Sequence, residues 1–187
     1  MNKKQIRKHH LELRMQISTS DLDIFSNKIN SNIIDLIEKI NPNSSVGLFY
    51  PYKNEADVLR ISNDLINKNI KCLLPKVISK GSSLKYFEYN PHSPNLEKGF
   101  GGIMEPKGEK TLDPDIIIAS CSAFNEKGFR VGYGGGFFDR TIEELKKKGN
   151  LKTILAAFEI QKTNYNFQDS FDQKVDYIFS EQKIYSL

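Results

Sequence analysis

The chain has 187 residues, 39% hydrophobic and 27% charged, with a formal net charge of +4, and this length supports one well-buried core and leaves little room for two domains. Its two cysteines, Cys72 and Cys121, stand far apart with no CxxC or CxxH grouping, so neither a disulfide framework nor a zinc site is signalled and two reduced thiols are expected. No apolar run approaches the ~20 residues of a membrane helix, and the charged N-terminus lacks a signal-peptide core, which predicts a soluble, cytoplasmic protein with no membrane partner.

The charge is unevenly spread. Residues 1 to 17 carry Lys3, Lys4, Arg7, Lys8 and Arg14 against Glu12, and the remaining 22 basic and 22 acidic residues cancel. A neutral body with one basic arm attracts phosphate, on nucleic acid or on a small molecule. Ile6, His10, Leu13 and Ile17 form one face of a predicted helix over about 3–17. Ser20 or Asp21 can cap a second helix, in which Leu22, Phe25, Ile29, Ile33, Leu36 and Ile40 recur at steps of three and four until Asn41-Pro42 stops it.

The rhythm then changes. VGLFY (46–50) reads as a strand, Val58, Ile61 and Leu65 as a helical stripe, and KCLLP (71–75) as a second strand. LKYFEY (84–89) reads as another strand, and residues 90–110, rich in Pro, Gly and Lys, as a long loop. DIIIA (115–119) has the continuous β-branched character of a central parallel strand. FFDRTIEELKKKG (137–149) reads as a helix closed by Gly149, and TILAAF (153–158) and VDYIFS (175–180) as the last strands. Alternation of helix and strand predicts an α/β fold around a mostly parallel sheet, one domain over 1–187.

FRVGYGGGFFDR (129–140) places four glycines in five positions between a strand and a helix start. Such a turn points backbone N–H groups and a positive helix end at an anion, with phosphate the natural ligand. Arg130 adds a charged donor, and Asp139 beside a phosphate is best explained by a bridging cation, as magnesium combines one or two carboxylates with substrate phosphates. The glycines alone fit neither GxGxxG nor a GK[ST] loop, and a ligand-free tight turn is the competing reading. Tyr52, Lys53 and Asn54 lie between a strand end and a helix, where ligands gather in open parallel sheets. His9, His10 and His92 have no metal-ligand spacing.

PDIIIASCSAFNEKGFRVGYGGGFFDR (114–140) resembles the signature of the 5-formyltetrahydrofolate cyclo-ligase family. KKQIR (3–7), FYPYKNEADV (49–58), LLPKV (73–77), GGIMEP (101–106), the Ala-Phe-Glu-x-Gln of 157–161 and KVDYIFSE (174–181) follow in the family's order. The resemblance implies a three-layer α/β sandwich and a magnesium- and ATP-dependent ring closure. It takes 5-formyltetrahydrofolate to 5,10-methenyltetrahydrofolate through a phosphorylated formyl group, with release of ADP and phosphate. Folate and ATP are then the partners, of a monomeric or weakly associated protein that binds no nucleic acid.

Carried over residue by residue, Lys3, Lys4, Gln5, Ile6 and Arg7 fall in the ATP-binding arm. Arg130, Val131, Gly132, Tyr133, Gly134, Gly135, Gly136, Phe137 and Phe138 fall in the phosphate cradle. Arg130 and Asp139 take the catalytic positions, Asp139 and Asp176 the metal positions. Tyr50 and Glu55, with Tyr133 through Phe137, fall at the folate. Four positions depart from the pattern: Phe137 and Phe138 where relatives have two tyrosines, Ser120 for a proline and Asn125 for an aspartate. Two rivals remain, a nucleic-acid binder using the basic arm and a sugar-phosphate isomerase or CoA-transferase-like enzyme. The first would show steeply salt-dependent binding, and the second has no use for two magnesium carboxylates.

Overall fold

The computed structural model describes residues 1–40 and 44–187. In chain order the helices are α1 (Lys3–Met15), α2 (Thr19–Ile40), α3 (Ser62–Asn67) and α4 (Phe137–Lys148). The strands are β1 (Ser45–Gly47), β2 (Lys71–Lys76), β3 (Lys85–Glu88), β4 (Leu96–Lys98), β5 (Met104–Pro106), β6 (Thr111–Leu112), β7 (Ile116–Ala119), β8 (Ala123–Phe124), β9 (Arg130–Val131), β10 (Lys152–Ala156), β11 (Tyr177–Phe179) and β12 (Ile184–Ser186). Eight of them form one sheet in the order β12-β11-β10-β7-β1-β2-β3-β6. The five at its centre, β11 through β2, pair in parallel, and antiparallel pairings finish both edges.

Period-two alternation explains why this sheet is covered on both faces. Ile116 and Ile118 of β7 enter one core with Ile29, Ile33 and Ile37 of α2, whereas Ile117 and Ala119 enter a second core with Ile142 and Leu145 of α4. Leu74 and Leu73, and Ile154 and Leu155, divide in the same way. Each such fully buried aliphatic side chain contributes about 1.5–3 kcal/mol. The result is the predicted three-layer sandwich.

Helix α1 stands apart, against β8, β9 and the short turn Glu159–Gln161. Its Ile6 packs with Ala123, Val131 and Phe167 in a small third cluster. It ends at Met15, earlier than predicted, because Gln16 N–H already turns back to Arg14 and Leu13. Helix α2 is capped by Ser18, whose Oγ accepts from Asp21 N–H at 3.1 Å, and not by Ser20 or Asp21. The predicted stop at Asn41-Pro42 lies outside the described residues. The stripe from Val58 is a 3-10 turn, Val58–Ile61, before α3.

Residues 90–110 are not a bare loop. They hold the β4–β5 hairpin, whose tip is tied by the buried Glu105: Oε1 accepts from Phe100 N–H at 3.1 Å and Val77 N–H at 3.3 Å. The short β8–β9 hairpin was likewise not predicted. It is closed by Asn125, whose Oδ1 accepts from Lys127 and Phe129 N–H, both at 3.1 Å. Both cysteines are free and buried. Among the described residues no helix is long and apolar enough to cross a membrane.

Candidate active site

The chain leaves the carboxyl ends of β1, β2 and β7 into one cavity of about 340 Å³, within the range of small-molecule sites. Phe49, Tyr50 and Tyr52 enter it after β1, Pro75 and Val77 from the end of β2, and Ser120 after β7. Phe100, Ile103 and Met104 of the β4–β5 hairpin face Gly132, Tyr133 and Phe137. The rings of Phe100 and Phe137 meet edge to face at 5.3 Å.

The glycine stretch forms the wall between this cavity and α1. Gly134 (φ 99°) and Gly136 (φ 62°) adopt the left-handed region, which a side chain would strain. Gly132, Gly135 and Gly136 line the cavity. Gly134 does not; an added Cβ there would lie 3.5 Å from the guanidinium of Arg7. Arg7 Nε also donates to Gly132 O at 2.6 Å. Gly136 sits at the N-cap of α4 and offers no side chain to the first N–H groups, so the positive end of that helix is available to an anion.

Arg130, buried in β9, donates through Nη2 to Asp139 Oδ1 at 3.0 Å and through Nη1 to Gln173 O at 3.0 Å. Gln173 N–H donates to the same Asp139 oxygen at 3.0 Å. The ring of Phe138 lies 5.7 Å from the Arg130 guanidinium. Arg130, Phe138 and Asp139 all border the cavity.

On the opposite wall Glu55 is buried. Its Oε2 accepts from Tyr52 N–H at 2.9 Å and its Oε1 from Tyr133 Oη at 2.9 Å. Burial pushes its carboxyl above the ordinary range, opposed by the nearby charge of Arg14 and by hydrogen bonds from Ser120, Tyr133 and Tyr52. The turn that presents it passes through Lys53 (φ 49°) and Asn54 (φ 56°), two left-handed non-glycine residues at about 1–3 kcal/mol each.

The predicted residues do not all converge. Tyr50, Glu55, Arg130, Tyr133, Phe137, Phe138 and Asp139 share the cavity. Of the five residues assigned to the ATP-binding arm, Arg7 bonds to the glycine loop, whereas Lys3 pairs with Asp169 at 2.8 Å and Asp172 at 2.6 Å, Lys4 is exposed, Gln5 closes the capping box of α1, and Ile6, like Val131 of the cradle, is core. Asp176 is not beside Asp139. It precedes β11 at the amino end of the sheet, where Oδ2 accepts from Thr153 N–H at 2.7 Å and Thr153 Oγ1 at 2.6 Å. Of the departing positions, Ser120 lines the cavity, whereas Asn125 is taken up in its hairpin. Sequence reasoning missed Arg14 and the hairpin residues Phe100, Ile103 and Met104. Arg14 had a signal, since it follows Arg7 by seven positions on the apolar face of Ile6 and His10.

Residues 1–181 match the description "5-formyltetrahydrofolate cyclo-ligase family". The chain belongs to this family. The 5-formyltetrahydrofolate cyclo-ligase of Mycoplasma pneumoniae is 25% identical over 184 residues, covering 97% of this chain and 100% of that one. That of Haemophilus influenzae is 26% identical over 160 residues, covering 82% and 84%. The NMR structure of Aquifex aeolicus 5,10-methenyltetrahydrofolate synthetase superposes with a TM-score of 0.81 at 28% identity, covering 100% of this chain and 93% of that one. The M. pneumoniae synthetase structure, at 23% identity and a TM-score of 0.76 over 97% and 99%, speaks for the fold alone. Cyclo-ligase family membership makes the chain an enzyme.

Proposed function

We propose that this enzyme converts 5-formyltetrahydrofolate to 5,10-methenyltetrahydrofolate at the expense of ATP. The reading rests above all on one observation: a glycine wall that opens α4 separates Arg7 from a cavity containing a buried acid, Glu55. Phosphates lie against the wall's backbone N–H groups and the helix end, with Arg7 and Arg130 as cations. The pterin enters the cavity, where the Glu55 carboxylate accepts from its donor edge and Tyr50, Tyr133 and Phe137 flank the ring.

The formyl oxygen attacks the γ-phosphorus and ADP departs. The neighbouring folate nitrogen then attacks the activated carbon and gives up its proton, and the carbon–oxygen bond breaks with phosphate leaving and carrying that proton. Phosphorylation is needed because an amide oxygen is otherwise a poor leaving group, and the protein contributes mainly position and charge neutralisation. Asp139 suits magnesium: it borders the cavity and is held in place through one oxygen by Arg130 and Gln173. A single carboxylate with phosphate oxygens is an adequate donor set for that ion, which when bound neutralises phosphate charge. Asp176, bonded to Thr153 at the amino end of the sheet, stands outside this set.

Purified protein mixed with 5-formyltetrahydrofolate and Mg-ATP should develop the methenyl chromophore, and omission of ATP or magnesium should abolish it. A chromophore that forms at the same rate without ATP would exclude the phosphorylated route.

A further inference from the structure

Arg14 has no place in the cavity wall, yet it is the most completely enclosed charged side chain near it, with 0% exposure. Its guanidinium spends its donors on three other parts of the site. Nε donates to Lys53 O at 2.9 Å and Nη2 to Tyr52 O at 3.3 Å, which secures the left-handed turn. Nη1 donates to Cys121 O at 2.7 Å, just beyond β7. Nη2 donates to Tyr133 Oη at 2.5 Å, and Nη1 lies 3.8 Å from Glu55 Oε1.

These contacts form a directed chain. The Tyr133 hydroxyl accepts from Arg14 and so commits its own proton to Glu55 Oε1. Tyr133 as a residue remains 39% exposed while its hydroxyl is held by Arg14 and Glu55. One guanidinium, donating four hydrogen bonds, thus sets the rotamer of a residue in the glycine wall and the backbone of the turn, and lays its charge beside the acid that turn presents.

We propose that Arg14 is a positioning residue that fixes Glu55 and Tyr133 for the folate; the assignment rests on the cyclo-ligase reading above. Glu55 is faced by Arg14 from α1, Tyr133 from the glycine wall, and Ser120 and Cys121 from the end of β7, with Lys53 on its own turn. Burial pushes the Cys121 thiol up to about 12 and the Tyr133 hydroxyl higher than usual, so both are neutral where the enzyme works. Arg14 is therefore the charge that opposes the desolvation of Glu55.

The test is steady-state kinetics of the full chain, with each substrate varied in turn and pH profiles of kcat/KM for the folate. Arg14→Met should raise the folate KM about 10-fold or more and leave the ATP KM within about 3-fold. It should also move the acid limb up by about one pH unit, because Glu55 loses the cation that opposes its burial. Arg14→Lys keeps the charge without the fork, and should hold the acid limb near wild type with an intermediate folate KM. An Arg14→Met enzyme with unmoved pH profile and both KM values raised alike makes Arg14 merely structural and overturns the proposal. Should Arg14→Met fail to fold, Arg14→Lys decides: equal changes in the two KM values overturn it. Inactive wild-type protein overturns the cyclo-ligase reading and this assignment together, whereas active wild type with indifferent variants overturns this assignment alone.

Discussion

The two ends of the parallel sheet use the same kinds of residue for different ends. At the amino end, Asp115 and Asp176 each precede a strand and reach a hydroxyl residue at the start of the neighbouring one. Asp115 Oδ2 accepts from Ser45 N–H at 2.7 Å and Ser45 Oγ at 2.8 Å; Asp176 Oδ2 does the same with Thr153 at 2.7 and 2.6 Å. These carboxylates satisfy strand-end backbone and fix register. At the carboxyl end, Glu55 and Asp139 are held by arginines and face a cavity. All four acids accept from a backbone N–H, but the sheet pair adds a hydroxyl of the neighbouring strand, whereas Glu55 and Asp139 add an arginine and a place on the cavity.

The comparison breaks most visibly at Asp139. Asp139→Asn should lower kcat by about 100-fold and raise the magnesium concentration needed for half-maximal rate, since the amide brings no charge to the ion. A magnesium titration that superposes on wild type removes Asp139 from the metal site. Next in size, Glu55→Gln should raise the folate KM about 10-fold while changing the ATP KM far less; parallel changes would move Glu55 out of the folate half.

The smallest effects sharpen the other end. Asp115→Asn and Asp176→Asn should each cost about 1–2 kcal/mol in denaturant unfolding with kcat intact, as expected for weakened hydrogen bonds to strand-end groups. If only Asp176→Asn alters the magnesium requirement, the symmetry between these two aspartates is superficial and the resemblance-based metal position stands.

Much of the architecture was legible because it rests on period. The run at 115–119 announced a strand buried on both faces, and its residues divide between the two cores in alternation. The glycine wall and its following helix were legible from composition and order. The β4–β5 hairpin was not, because its strands are three residues each with little apolar alternation, and its tip is held by the distant Glu105–Val77 bond. Arg14 was hidden for a related reason: along the sequence it is one more charge in a basic arm, and tertiary packing reveals that its partners are the Tyr52 and Lys53 carbonyls, 38 and 39 residues away, and Cys121 O and Tyr133, more than a hundred away. Asn125 shows the converse. At this position, where relatives carry an aspartate, the amide closes a turn and also donates to Gln168 at 3.3 Å.

Helix α1 carries Arg7 to Gly132 of the glycine wall and Arg14 to the turn at Lys53. Seven residues of helix span about 10.5 Å and return to nearly the same azimuth, so the rod acts as a fixed ruler between the two contacts. Inserting one residue between them would rotate the far arginine by about 100°, and no local adjustment could keep both appointments. Length changes at this locus are therefore far less tolerable than in the exposed bends elsewhere on the surface.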